Sequence, residues 1–305
     1  MQVSVIICTY NPRPQYLSRA LDGLRAQTLP LDQWELVVVD NRSSPPVAGR
    51  FDLSWHPNAR IVREEKQGLT PARLRGLDEA GGELIVLVDD DNVLEPDYLQ
   101  TAVMVARERP YLGSWSGQCL PEFESEPPAW TRRYWGALCI REFESEVWSN
   151  LPRLPDTMPD GAGLCLRREV AERYLELHRS GQRAFQLDRS GDSLVSGGDN
   201  DLAACACDVG LGVGLIPQLK LRHLISADRV SESYLKRLVE GIVVSSVVLA
   251  WLWRSDLELA AYRVKPHHRL RALMNSGPHR RMQLAVLRGR QRGLRYVAKL
   301  GAAGR

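Results

Sequence analysis

The chain has 305 residues, 44% hydrophobic and 25% charged, which suits a folded protein with a sizeable core and excludes disordered, collagen-like and low-complexity classes. No apolar run reaches the roughly 18–20 residues of a membrane span, and the longest, 241–253, is closed by Glu240 and Arg254. The net charge of +3 conceals an asymmetry: residues 263–305 hold twelve Lys and Arg and no acidic residue, leaving 28 basic against 37 acidic residues in 1–262.

A basic tail on an acidic body points to an anionic partner for the tail. Met1–Tyr10 lacks the basic start and long apolar stretch of a signal peptide. The six cysteines are scattered without CxxC spacing, as expected of reduced, buried thiols in a cytoplasmic protein.

Val3–Cys8 is a β-rich run ending in the polar turn Thr9-Tyr10-Asn11-Pro12. Leu17, Ala20, Leu21 and Leu24 follow at the spacing of an amphipathic helix. Glu35–Val39 reads as a second strand stopped by Asp40-Asn41, and Ala59–Arg63 as a short third. A helix over Thr70–Ala80 begins beside Pro71 and ends at Gly81-Gly82. Leu84–Val88 is a fourth strand running into Asp89-Asp90-Asp91, and Pro96 opens a helix to Glu108.

Strands separated by helices imply parallel pairing, and ligands of such sheets bind beyond the carboxyl ends of the strands. Three polar strand ends therefore predict one site built from three distant turns. Irregular loops rich in Trp and Pro are expected over 110–165, with aromatic faces for an acceptor or simply a loop core. Further helices are expected over Glu169–His178 and Asp199–Val209, with a β-like run over Leu219–Ile225, and amphipathic helices in the tail from Val264.

Adjacent carboxylates at a strand terminus are unfavourable unless a cation or hydrogen bonds compensate. Asp89 and Asp91 suit Mg²⁺ or Mn²⁺ when substrate phosphates complete the shell; the bland alternative is a solvated acidic turn. Asp199 and Asp201, after Gly197-Gly198, fit either a helix N-cap or a general base. His223, at the end of a β-like run, is a further candidate ligand or an ordinary packed histidine.

Five segments, Val3–Asn11, Val37–Ser44, Gly68–Arg73, Asp89–Asp91 and Gly197–Leu202, occur in the order and spacing of glycosyltransferase family 2, which the sequence resembles over about residues 3–225. The resemblance implies an α/β chain of GT-A fold, Rossmann-like with a mostly parallel central sheet and a C-terminal helical extension. It divides the chain into a catalytic domain, 1–225, whose nucleotide-binding half is 1–92 and acceptor half 93–225, and a basic helical extension, 226–305.

It implies an inverting, metal-dependent transferase that moves a sugar from a nucleotide-sugar donor, UDP-sugar favoured, to a saccharide or lipid-linked acceptor in polysaccharide or glycoconjugate synthesis. Thr9, Tyr10, Asn11, Asp40, Arg73, Asp89 and Asp90 would bind the donor. Asp91, Asp89 and His223 would hold Mg²⁺ or Mn²⁺, and Asp199 would be the catalytic base. Leu74 and Gly198 depart from the family pattern, and Gly198 makes Asp201 the second candidate base.

A non-catalytic sugar-nucleotide-binding scaffold is the alternative of another class. A haloacid-dehalogenase-type phosphatase, suggested by Asp89-x-Asp91-x-Val93, is a weaker one. No nucleic-acid partner is expected. The apolar stretch 231–253 is expected to pack on the catalytic domain and lead into 263–305 as a peripheral contact with anionic membrane. There each Lys or Arg contributes on the order of 1 kcal/mol; a solvated tail or a subunit contact is the competing reading.

Overall fold

The computed structural model describes residues 1–152, 156–183, 187–188, 194–253 and 256–303. Contacts gather the chain into two units, one of Met1–Glu122, Cys139–Gln186 and Gly198–Leu224, the other of Phe123–Leu138, Leu187–Gly197 and Ile225–Arg305. A single boundary at 225 is expected from sequence. The contact units are discontinuous instead: 123–138 and 187–197 group with the C-terminal helices, the first because it packs on the helix Glu232–Leu252.

In the first unit, β1 (Val3–Thr9) and β2 (Trp34–Asp40) are apolar runs buried almost throughout, as strands covered on both faces must be. Between them α1 (Pro14–Arg25) starts with a proline and buries Leu17, Ala20, Leu21 and Leu24. β3 (Ala59–Arg63), α2 (Leu69–Glu79), β4 (Leu84–Asp89), the short β5 (Asn92–Leu94) and α3 (Tyr98–Glu108) follow. Strands β3, β2, β1 and β4 lie side by side in parallel. Thr9 pairs with Asp40 and Cys8 with Asp89, so the three polar strand ends finish on one edge of the sheet.

Beyond β4 a single short strand, Cys165–Arg167, runs against its neighbours on both sides. β6 (Leu112–Phe123), β7 (Val147–Ser149), β8 (Cys165–Arg167) and β9 (Gly212–Ile225) continue it in the order β4-β8-β6-β9-β5, with β7 also on β9. β8 is antiparallel to β4 and β6, and β9 is antiparallel to β5 and β7. The sheet is mixed: β6 and β9 advance together, Tyr111 beside Gly212 and Glu124 beside Ile225, so parallel pairing returns beyond the reversed β8.

β6 runs through a segment where loops are expected from sequence. Small residues replace the usual branched ones because neighbours crowd the strand. A Cβ on Gly113 would stand 2.7 Å from that of Ala206, and one on Gly117 would stand 2.0 Å from the Leu219 carbonyl oxygen. Trp115 of this strand is fully buried and belongs to the core. α4 (Arg168–Arg179) and α5 (Gly198–Asp208) pack on each other to complete the unit.

The second unit contains α6 (Glu232–Leu252), α7 (Asp256–Ala261), α8 (Pro266–Met274) and α9 (Gly277–Ala303). The Ser231 hydroxyl caps α6 by accepting from the Tyr234 N–H. Apolar α6 finds its partner in α9, where Cβ atoms on Gly289 and Gly293 would stand 2.7 Å from the Glu240 carbonyl oxygen and from Val247 respectively. Arg288 and Arg292 reach Glu240 at 3.0 and 2.6 Å, and Arg281 reaches Glu232. Part of the tail's positive charge is thus matched inside its own unit. Among the described residues no helix is long and apolar enough to cross a membrane.

Candidate active site

The polar turns are wired to one another. Asn11 takes a left-handed φ of 48°, a conformation asparagine tolerates well. Its N–H donates to the Ser43 hydroxyl at 2.9 Å, and its side-chain carbonyl accepts from the Ser44 N–H at 2.8 Å. Asn41 ties in the loop before α2, donating to the Lys66 carbonyl and accepting from the Gly68 N–H, both at 2.8 Å. α2 carries Arg73, which is buried.

Asp40 builds the second turn. Its carboxylate accepts from the Ser43 and Val47 N–H groups at 2.8 and 3.0 Å and from Arg63 at 2.9 Å. Burial alone would raise its pKa, but the bonds from Ser43 and Val47 and the charge of Arg63 hold it below the ordinary value. Tyr10, next to Thr9, is exposed.

β4 ends at Asp89, and Asp90 with Asp91 forms the turn into β5. The strict alternation of a strand therefore does not extend through the triplet. The Thr9 hydroxyl donates to Asp90, joining the first and third turns. Asp91 Oδ2 stands 3.3 Å from His223 Nε2, because Asn92 and His223 are partners in the β5–β9 ladder. The Leu224 N–H donates to the Asp91 carbonyl at 2.8 Å and the Asn92 amide to its Oδ1 at 3.1 Å.

Among the described residues, no three or more His, Cys, Asp or Glu gather into a ready-made metal site. Asp91 and His223 nevertheless fit as two ligands of a cation that takes its remaining positions from phosphate and water. Ligands at right angles with bonds of about 2.1 Å stand about 3 Å apart.

Asp199 enters from α5. Its Oδ2 accepts from the Gly161 N–H at 2.9 Å and its Oδ1 from the Asn200 N–H at 2.9 Å. Its outer oxygen thus reaches a loop 38 residues away, beyond what a helix cap needs. Asp201 is different: it is 2% exposed and bound by Arg183 at 2.8 Å, an arrangement that anchors α5.

Asp160 completes the second cluster, and sequence reading missed it. Burial pushes its carboxyl up to about 6; Arg141, 3.8 Å away, opposes this and Asp199 adds to it. Burial likewise pushes the Cys139 thiol well up, and Asp160, Asp199, Cys119 and Asp89 all act in the same direction. The carboxylates of Asp89, Asp160 and Asp199 thus all act on the thiol of the half-buried Cys139. The only sequence signal for Asp160 is its place before the small residues Gly161-Ala162-Gly163.

Comparison with known proteins follows the same residues. The family described as "Glycosyl transferase family 2" matches 4–163, just over half of the chain. "Putative glycosyltransferase EpsH" of Bacillus subtilis (strain 168) is 32% identical over 107 residues, 34% of this chain and 30% of that protein. "Glucosyl-dolichyl phosphate glucuronosyltransferase" of Haloferax volcanii is 28% identical over 136 residues, 42% of this chain and 41% of that protein. The matched stretch thus spans well under half the length of these curated relatives. Among solved structures, the mannosyltransferase PcManGT from Pyrobaculum calidifontis, in complex with GDP-Man and Mn²⁺, is similar with a TM-score of 0.53 at 21% identity. That similarity covers 99% of this chain and 74% of the other, and it identifies the fold as GT-A.

Proposed function

This chain belongs to glycosyl transferase family 2, and from that premise we propose that it is an inverting, metal-dependent transferase acting from a nucleotide-sugar donor, UDP-sugar favoured, on a saccharide or lipid-linked hydroxyl acceptor. The observation that carries the reading is the Gly161-held carboxylate of Asp199, a second acidic centre in the same unit as the strand-end turns.

Thr9, Tyr10, Asn11, Asp40 and Arg73 lie on or behind the edge where the parallel strands end, the place such sheets offer a nucleotide. Asp89, at the end of β4, and Asp90, in the turn that follows, lie beside them and would face the ribose and diphosphate. Asp91 and His223 would hold Mg²⁺ or Mn²⁺, which supplies charge neutralisation to the leaving diphosphate. Asp199 takes the proton of the acceptor hydroxyl. The acceptor oxygen bonds to the anomeric carbon from the face opposite the diphosphate, and the electron pair of the broken C–O bond leaves on the diphosphate. Asp201, held by Arg183, positions α5.

Synthesis of a polysaccharide or glycoconjugate is the setting that suits this chemistry, at the cytoplasmic side of a membrane that residues 263–305 contact peripherally. A thermal-shift panel of UDP-, GDP-, dTDP- and CMP-sugars, with and without Mn²⁺, tests the donor assignment, because a ligand that binds only the folded state raises its stability. A Mn²⁺-dependent rise with one nucleotide class supports the reading. No rise with any of the four contradicts it, and a rise without turnover leaves only the scaffold alternative.

A further inference from the structure

Helix α8 shows solvent the wrong face for a helix in water. Leu270, Leu273 and Met274 are 64%, 50% and 80% exposed, at spacings of three and four residues. At about 100° per residue they fall in one arc, with Arg269 on one shoulder, Arg271 on the other and the buried Ala272 opposite. Ala272 turns to the protein, and α8 packs on α9.

Its surroundings are strongly positive. Lys265, Arg269 and Arg271 are exposed and, among the described residues, form no ion pair, in contrast to Arg281, Arg288 and Arg292. His268 is held below its ordinary pKa by partial burial and then by His267, Arg290, Lys265 and Arg271. An apolar arc flanked by cations is the pattern of a helix lying in a membrane interface. A second copy of the same face would set these cations against each other, which disfavours self-association as the reason for the exposed arc.

We propose that α8 lies in the plane of an anionic lipid surface, with Leu270, Leu273 and Met274 entering the acyl boundary and Lys265, Arg269 and Arg271 against the phosphate headgroups. The proposal rests on the reading of 263–305 as a membrane contact and adds to it an apolar wedge. Charge alone gives attachment that salt removes, whereas buried apolar area persists when charges are screened.

The test is co-sedimentation of the full chain with vesicles of equal phosphatidylglycerol and phosphatidylcholine, at low salt (about 50 mM) and at about 1 M, where the Debye length is about 3 Å. The comparison variant is Leu270→Ser/Leu273→Ser/Met274→Ser, whose thermal unfolding should match the wild type because all three side chains point outward. The wild type should remain partly bound at high salt and the variant should be released, with a partition coefficient lower by about tenfold or more. Equal partitioning of the two at both salts overturns the wedge. Complete release of the wild type at high salt also overturns it while leaving the charge-driven contact standing. Absence of binding by either protein at low salt removes the membrane reading altogether. Concentration-dependent dimers that the triple substitution abolishes, with vesicle binding unchanged, would assign the arc to a protein contact instead.

Discussion

The Gly161 N–H donates to the Asp199 carboxylate at 2.9 Å, and the two residues are so close that a Cβ on Gly161 would stand 2.7 Å from Asp199 Oδ2. Nothing larger than hydrogen fits without moving the carboxylate. Gly161→Ala should therefore displace the proposed base while leaving the donor turns untouched. A displacement near 1 Å costs about 10²-fold in rate. Steady-state kinetics with a separate donor-binding measurement checks this: a fall in kcat with donor affinity retained is expected, and unchanged kcat would separate Gly161 from the reaction.

Asp160 gives a pH dependence whose sign can be worked out. Its carboxyl is pushed from an ordinary 3.8 to about 6 in the folded chain. The folded state binds that proton more tightly than the unfolded state. The group's contribution to stability is therefore full below about pH 4 and is lost as pH rises through 6. Asp160→Asn stays neutral, so it should exceed the wild type in stability by of order 1 kcal/mol at about pH 7.5, and the gain should vanish at about pH 4. Urea unfolding at the two pH values measures this. A variant destabilised more at about pH 7.5 than at about pH 4 would mean that the Arg141 contact outweighs the burial.

Asp40 has the opposite sign. Its folded pKa is depressed, so its stabilisation is present above the unfolded value and is lost as pH falls through the folded one. Asp40→Ala removes the acceptor of two backbone N–H groups and of Arg63, and should cost about 2–4 kcal/mol. Loss of nucleotide binding should accompany that loss of stability. A variant as stable as the wild type at neutral pH would contradict the structural role described for this carboxylate.

The Asp91–His223 pair predicts linked losses. Either Asp91→Ala or His223→Ala should weaken Mn²⁺-dependent nucleoside-diphosphate binding by at least about tenfold, the cost of even an outer-shell change. Circular dichroism should show both variants folded. Titration calorimetry with UDP and Mn²⁺ reads the binding, and retention of it by both variants would rule the pair out.

The parallel half of the fold was legible because its strands are continuous Val, Ile and Leu runs and its helices carry a clear apolar stripe. The strand-end turns were legible for the same reason: polar clusters interrupt apolar runs. β6 was not, because close approach at Gly113 and Gly117 forces small residues where a strand normally carries branched ones. The reversal of direction after β4 leaves no local pattern at all, since β8 is only three residues long. His223 could be suspected from its place at a strand end, but its pairing with Asp91 depends on the β5–β9 register. Asp160 stayed hidden because its raised pKa comes from burial and from Asp199, 39 positions later in the chain, neither of which a single sequence displays.

The most direct test of the account is turnover of the nucleotide sugar identified by the thermal-shift panel, compared between the wild type and Asp199→Asn. Asparagine keeps the shape and can still accept from the Gly161 N–H, so donor binding and folding should survive. Loss of the base should lower kcat by about 10²–10⁴-fold. Sugar transfer by Asp199→Asn at close to the wild-type rate would contradict the assignment.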